Sequence, residues 1–401
     1  MPLKTENNNR MYVQPNRYYA FDYLKTIMMF SVVVAHAAST YMVINVGSLW
    51  PAKDPKTTNV FFDVVLAFMS CNTMPVFFAI SGFLAAMLVQ KGGEKKMFNN
   101  RLKRIFYPFL ASIITLAPLS SLAFYYFDYT LTGMINPLQL AFKRIAEEGF
   151  GLFNFNFRHL WFLYCLVLFC LTGGFISYFF RRISTTIPNK LIELFSFFFQ
   201  KKSAPLLFAL PTFILLYIRH RNFIETPINF NTNIVVLFTY AVFFFFGWLL
   251  YYQNDITRFK KWDIPYAILG TVFFVAKLTI YAVLGDDKTT EVWLAAVTAI
   301  FIWFYLFAFL GLSLRFFNKY SRIASYLSDA SYWIYLVHIP VVLIIQTLLI
   351  NFNVNALVKF SIVTFTTFII TLISYNYLVR NTFIGTFLSG KRYSRGLPSK
   401  E

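Results

Sequence analysis

Apolar runs of membrane-spanning length alternate with short polar connections along nearly the whole chain. Ten runs are legible, at residues 20–46, 60–90, 105–127, 158–180, 205–219, 233–252, 264–284, 292–314, 331–350 and 356–379. About 20 apolar residues in helical form cross the hydrocarbon core, because a helix satisfies its own backbone hydrogen bonds there. The pattern predicts an all-α, polytopic integral membrane protein with about ten transmembrane helices. A polar N-terminal tail (1–19), a ten-helix domain (20–380) and a basic C-terminal tail (381–401) make up the expected organisation. The fifth run is short and holds Pro205 and Pro211, so a broken or re-entrant span is expected. Asn351 to Asn355 reads as a tight turn between the last two spans. The longest connection, 128–157, carries Asp128, Lys143, Arg144, Glu147 and Glu148 and ends in Phe153-Asn154-Phe155-Asn156-Phe157. It reads as a lid, as a helix lying at the headgroups, or as a plain connector.

Composition agrees. The chain is 58% hydrophobic and only 13% charged, more apolar surface than a soluble domain could cover. Its formal charge of +19 raises the question of nucleic acid, but the distribution answers it. Alternate connections, beginning with the N-terminal tail, hold roughly 25 Lys and Arg against about 8 in the others, the positive-inside pattern. Both termini are therefore expected in the cytoplasm, with the protein multi-pass in its membrane and no nucleic-acid partner. Ala35-His36-Ala37 superficially resembles a signal-peptide cleavage site. The long polar leader and the charges at Asp22 and Lys25 argue for retention. Cys71, Cys165 and Cys170 lack metal-ligand spacing and read as packing residues, so no metal site is expected.

Ionisable residues at membrane depth are costly and point to function. Eleven positions separate Lys25 from His36, which places them about 20° apart in azimuth and roughly 16 Å apart along one helix. Asp22, one turn before Lys25, would pair with it or cap the helix, and is grouped with His36 as an orienting member of the catalytic set. Arg101 and Arg104 are three apart and should project from one side of the cytoplasmic start of the third span. Side by side, they could grip phosphate oxygens. In Met74-Pro75-Val76-Phe77-Phe78-Ala79-Ile80-Ser81-Gly82-Phe83, Pro75 should bend the second span. Ser81-Gly82 would let a slender donor chain lie close, unless the glycine only packs helices. His159 opens the fourth span as a hydrogen bonder for an acceptor, beside Trp161 as an interface anchor. His338 is expected about 10–12 Å inside the ninth span from the cytoplasmic face. Lys277, deep in the seventh span, either snorkels outward or meets an anionic group on a substrate. His220 reads as solvated and Asp63 as interfacial.

With these residues in hand, the chain resembles the acyltransferase-3 family of ten-helix membrane acyltransferases over most of its length. Lys25-x10-His36 is similar to that family's basic-residue-x10-His motif, and Arg101-x2-Arg104 to its Arg-x-x-Arg motif. Phe77-Phe78-x2-Ser81-Gly82-Phe83 and Tyr335-x2-His338-x-Pro340 also fit. Arg158-His159-Leu160-Trp161-Phe162-Leu163 and Phe245-Phe246-Gly247-Trp248-Leu249-Leu250 resemble most the branch that succinylates periplasmic glucans. Lys25 stands where the family usually has Arg, which keeps the charge but loses the bidentate fork. The resemblance implies an acyl-coenzyme A donor, succinyl-CoA or acetyl-CoA, bound from the cytoplasm by Lys25, Arg101, Arg104, Ser81 and His338. It also implies a glycan hydroxyl acceptor on the periplasmic side, near His159, Trp161 and Lys277, with His36 as general base and no permanently bound cofactor. A secondary transporter using His36 as a proton relay is the competing class. Against it, no inverted repeat is visible.

Overall fold

The computed structural model describes residues 18–148, 156–183, 186–253, 255–285, 287–390 and 392. The N-terminal tail up to residue 17, most of Phe153 to Phe157, and the tail from residue 393 lie outside the described residues. The described chain is all-helical, without strands. In chain order the helices are α1 (Tyr19–Ser39), α2 (Val60–Arg101), α3 (Tyr107–Leu131), α4 (Pro137–Glu148), α5 (Trp161–Ile183), α6 (Thr186–Phe199) and α7 (Ala204–Ile218). They continue as α8 (Ile234–Leu250), α9 (Phe259–Leu284), α10 (Glu291–Phe316), α11 (Arg322–Leu349), α12 (Ala356–Ser374) and the short α13 (Phe383–Ser389). All ten apolar runs fall on helices. By length and apolarity, seven stretches can cross a membrane, with Val60–Leu131 counted once, and eight if the bent pair α6–α7 is one span.

Gly93 divides the long α2. Its φ of 74° and ψ of 170° interrupt the helix, a left-handed conformation that glycine adopts without a Cβ clash. Helical dihedrals run through Pro75, so the expected bend lies eighteen residues further on. Beyond Gly93 the chain runs antiparallel to α5. Glu94 pairs with Ser177 (2.8 Å) and Arg181 (3.4 Å), and Gly174 abuts Met97 and Phe98. The helix leading into the third apolar run therefore begins near residue 94, and the basic connection from Lys91 to Arg104 is mostly helix. Two π-helical turns follow the same theme of local irregularity, at Leu102–Phe106 and Tyr375–Val379.

α2 and α8 cross at backbone contact. A Cβ at Gly82 would lie 1.8 Å from the Phe244 carbonyl oxygen, and one at Gly247 would lie 1.8 Å from that of Ala79. Small residues let helices approach this closely where lipid offers no hydrophobic force. Gly82 thus packs α8, and α8 fills the groove expected there for a donor chain. Around this crossing lies an aromatic core centred on Trp303, which is fully buried among Phe208, Phe243 and Phe246. Its indole N–H donates to Thr212 Oγ1 at 2.9 Å.

The expected break near Pro205 is a 115° bend between α6 and α7. α6 occupies what reads as a basic loop. It buries Phe195 and Phe199 and exposes Ile187, Leu191, Leu194 and Phe197, the two-faced pattern of a helix lying along an interface. α4 in the long connection is likewise two-faced, with Leu138 and Phe142 exposed. The turn after α11 falls where the asparagines place it, and Asn355 caps α12 by accepting the Leu357 N–H. Gly247→Ala should lower thermal stability in detergent by about 1–3 kcal/mol, the usual cost of overpacking. Gly270→Ala, whose added Cβ meets only the Tyr305 ring, should lose less in the same melting assay.

Candidate functional site: three histidines at one end of the bundle

Three of the four histidines in the chain converge. The His36 and His338 rings lie 5.2 Å apart, and those of His338 and His159 5.1 Å apart. They arrive from the last turn of α1, the middle of α11 and the 3-10 turn before α5. α11 starts at Arg322, nine residues before the expected span. His338 is therefore sixteen residues in, about 24 Å from the start of the helix. Tyr335 joins this group, its hydroxyl donating to the His159 carbonyl at 2.6 Å.

Backbone carbonyls fix two of the rings. His338 Nδ1 donates to the carbonyls of Tyr335 (2.8 Å) and Ile334 (3.2 Å). His159 Nε2 donates to that of Leu336 (3.0 Å). Each neutral ring then presents its other nitrogen as an acceptor. Those nitrogens, Nε2 of His338 and Nδ1 of His159, have no hydrogen-bond partner among the described residues. Leaving a buried acceptor unpaired costs about 1–3 kcal/mol, so the site is short of donors that an incoming hydroxyl could supply. His338 is fully buried and His159 nearly so, whereas His36 keeps part of its surface accessible. The opposite face of His36 meets Trp50, ring centroids 5.0 Å apart and 24° from parallel.

Cations sit at the other end. Lys25 and His36 share the uninterrupted helix α1, so the 16 Å expectation stands as a helical distance. Lys25 Nζ pairs with Asp22 at 2.8 Å. Asp22 is fourteen residues from His36, about 21 Å away; it orients Lys25 and cannot touch the imidazole. The guanidinium of Arg101 reaches the Cys170 thiol. Cys170 lies nine residues into α5, beyond the 3-10 turn that holds His159, so Arg101 sits roughly 16–18 Å from the histidine layer. Its Nε and one Nη are buried without a hydrogen-bond partner among the described residues. Arg104 points elsewhere, against Gly390 at the end of α13. The π-turn at Leu102–Phe106 explains the divergence. It rotates less per residue than an α-helix, so positions three apart do not share one side as α-helical spacing predicts. No hydrogen bond or ion pair joins Lys25 to Arg101 or Arg104 among the described residues. Ser81 is partly buried next to the Gly82 crossing.

Other residues lie away from the histidines. Trp161 is core, packed 4.9 Å from Tyr240 and 6.2 Å from Phe78, rather than anchored at an interface. Lys277 does not snorkel. It is 7% exposed, donates to the Asn222 carbonyl at 2.8 Å and lies over the Phe301 ring. His220, read as solvated, pairs with Glu291 at 2.8 Å. Asp63 accepts the N–H groups of Val43 and Ile44. All three cysteines are buried and free, and no group of three or more potential metal ligands occurs among the described residues.

Sequence reasoning missed Trp50, Asp54, Lys359 and Arg380. Lys359 Nζ and Asp54 form an ion pair at 2.7 Å with both side chains at most 2% exposed. A lysine inside the tenth apolar run was the available signal. Arg380 is buried with its guanidinium over Tyr326 and lines a cavity between α11, the 375–379 π-turn and α13.

The bundle carries a histidine cluster at one end and cations toward the other, and an acyltransferase domain model matches residues 18–376 of its chain. The chain belongs to this acyltransferase-3 family. It is 27% identical over 290 residues to the glucans biosynthesis protein C of Salmonella paratyphi B, covering 69% of this chain and 71% of that one. The protein of the same name from Salmonella schwarzengrund is 27% identical over 286 residues, with the same coverage. No solved structure matches. Because Lys277 is spent on Asn222, Lys277→Met should leave any preference between acyl donors unchanged. It should cost stability instead, about 1–3 kcal/mol for a lost charged hydrogen bond, read as a lower melting temperature.

Proposed function

We propose that the protein moves a succinyl or acetyl group from cytoplasmic acyl-coenzyme A to a hydroxyl of an extracytoplasmic glycan, with His36 as general base. The fuller topology of the reading is ten crossings of a bacterial inner membrane with both termini inside. The observation that carries it is the separation between a layer of acceptor nitrogens and a level of cations, about 16 Å along α1 and a similar distance from the turn before α5 to Cys170. That length suits a phosphorylated handle held at one level and a thioester delivered to the other. Arg101, with two nitrogens unpartnered among the described residues, and Lys25 would hold the phosphates, guanidinium being well matched to phosphate oxygens.

In the reaction, the glycan hydroxyl oxygen attacks the thioester carbonyl carbon while His36 takes its proton. The tetrahedral adduct collapses, the C–S bond breaks, and the departing sulfur receives the proton from the imidazolium. An ester and a free thiol result. His338 and His159 offer acceptor nitrogens to the glycan's other hydroxyls, and holding both substrates in one dry site supplies the entropic advantage of proximity. His36 is favoured as the base over His338 because it is less completely enclosed as a residue and shares α1 with Lys25. The name borne by the Salmonella relatives supports a glucan as acceptor.

His36→Ala protein, purified and given labelled acyl-coenzyme A with acceptor glycan, should transfer label at least 100-fold more slowly, within the range of general-base removal. His338→Ala should retain more activity than His36→Ala. Label that stays on the coenzyme in wild-type protein while a solute crosses vesicles would instead establish a transporter. Arg101→Lys, which keeps charge but loses the fork, should raise the KM for the donor with little change in kcat.

A further inference from the structure

The segment between α1 and α2 is fastened at every part of its length. Asp54 N–H donates to the Thr40 carbonyl and Asn59 N–H to that of Tyr41, both at 2.9 Å. The Asp63 carboxylate accepts from Val43 and Ile44. The Asp54 carboxylate accepts from the Lys56 N–H and the Thr57 hydroxyl, both at 2.9 Å, and from Lys359 of α12 at 2.7 Å. This last pair is dry, and a buried ion pair is seldom a net source of stability. Its use is to specify where the segment sits.

What the segment delivers is Trp50. The indole is 5% exposed, stacks on His36, and donates its N–H to Thr40 Oγ1 at 2.9 Å. Its edge meets Phe124 at 5.1 Å, and the Arg158 guanidinium lies 4.6 Å from the Phe124 ring centroid. Arg158 precedes His159, so the contacts close a ring: His36, Trp50, Phe124, Arg158, His159, His338. Nothing in this ring is free to turn without disturbing its neighbours.

Resting on the general-base reading of His36, we propose that Trp50 is a positioning residue that holds this imidazole toward His338, and that the Asp54–Lys359 pair clamps Trp50 in place. The inner face of His36 is left to the substrates, and the outer face is closed by indole. A reacting group misplaced by about 1 Å can lose 100-fold in rate. Trp50→Ala should therefore lower kcat by roughly 10- to 100-fold with the donor KM unchanged, and Trp50→Phe, which keeps an aromatic face, should recover most of it. Asp54→Asn and Lys359→Met should each lower kcat, and the double variant should lie nearer wild type than Lys359→Met alone, because no charge is then buried unpaired.

The measurement is steady-state acyl transfer by full-length protein in detergent, on monodisperse fractions, beside His36→Ala. If His36→Ala is inactive and Trp50→Ala turns over at the wild-type kcat, the positioning role alone is overturned. A kcat loss in Trp50→Ala that Trp50→Phe does not relieve overturns it too. An active His36→Ala overturns both this role and the function on which it rests. Should Trp50→Ala fail to fold, the ion-pair variants decide: unchanged kcat in Lys359→Met overturns the clamp and the positioning together.

Discussion

A polar group at membrane depth has no water to turn to and must find its partner inside the protein. Most of the buried polar groups here obey that rule visibly. Lys277 is spent on a loop carbonyl, Lys359 on Asp54, Trp303 on Thr212. Serines and threonines along the helices return their hydroxyl protons to carbonyls one turn back, as Thr26 does to Asp22 and Thr347 to Leu343. Against that background, the exceptions carry information. Among the described residues these include His338 Nε2, His159 Nδ1 and two nitrogens of Arg101, beside Asn72 Oδ1, Tyr332 Oη, Gln346 Oε1 and the hydroxyls of Thr364 and Thr367. The histidine nitrogens accept and the guanidinium nitrogens donate, the polarity that the proposed alcohol and phosphate would require.

Much of this was legible from the sequence, and the parts that were not have identifiable reasons. Helix positions follow from apolar runs because lipid leaves no other stable backbone form. Lys25 and His36 were legible as a pair because both lie on one helix, where spacing is geometry. His159 and His338 were legible individually, but their meeting with His36 depends on how α1, α5 and α11 pack, which no local pattern encodes. Arg101 and Arg104 were misread as neighbours because a π-turn changes rotation per residue without a distinctive composition. The register of 94–101 against α5 was hidden because Gly93 looked like an ordinary loop glycine. Trp161 and Lys277 were read by residue type, as an anchor and a snorkelling cation, and packing overrode both habits. Asp54 and Lys359 are 305 positions apart, and only the folded chain makes them a pair.

On the proposed reading, the fold also accounts for how so apolar a protein would hold a highly charged donor. Its charged residues need not line a continuous polar channel. α1 supplies one cation, the reversed arm after Gly93 another, and Arg104 is backed by the C-terminal α13 through the close approach of Gly390. Each is carried on a rigid helix or its turn. The Gly82–Gly247 crossing keeps α2 and α8 locked beside this arm, so the cations have a stiff mounting in the membrane interior.

Two helices that repeat one separation make the interior a ruler with a fixed length. On the proposed reading, the ruler would measure the carrier, from handle to reactive carbon, and stop there. Whatever extends past the carbonyl falls outside its scale. Relatives built on this frame could thus exchange one acyl cargo for another by altering a few side chains around the imidazoles. The same coenzyme would be admitted at the far end each time. Diversity in surface sugars would then require little more than local change at a single end of a conserved gauge.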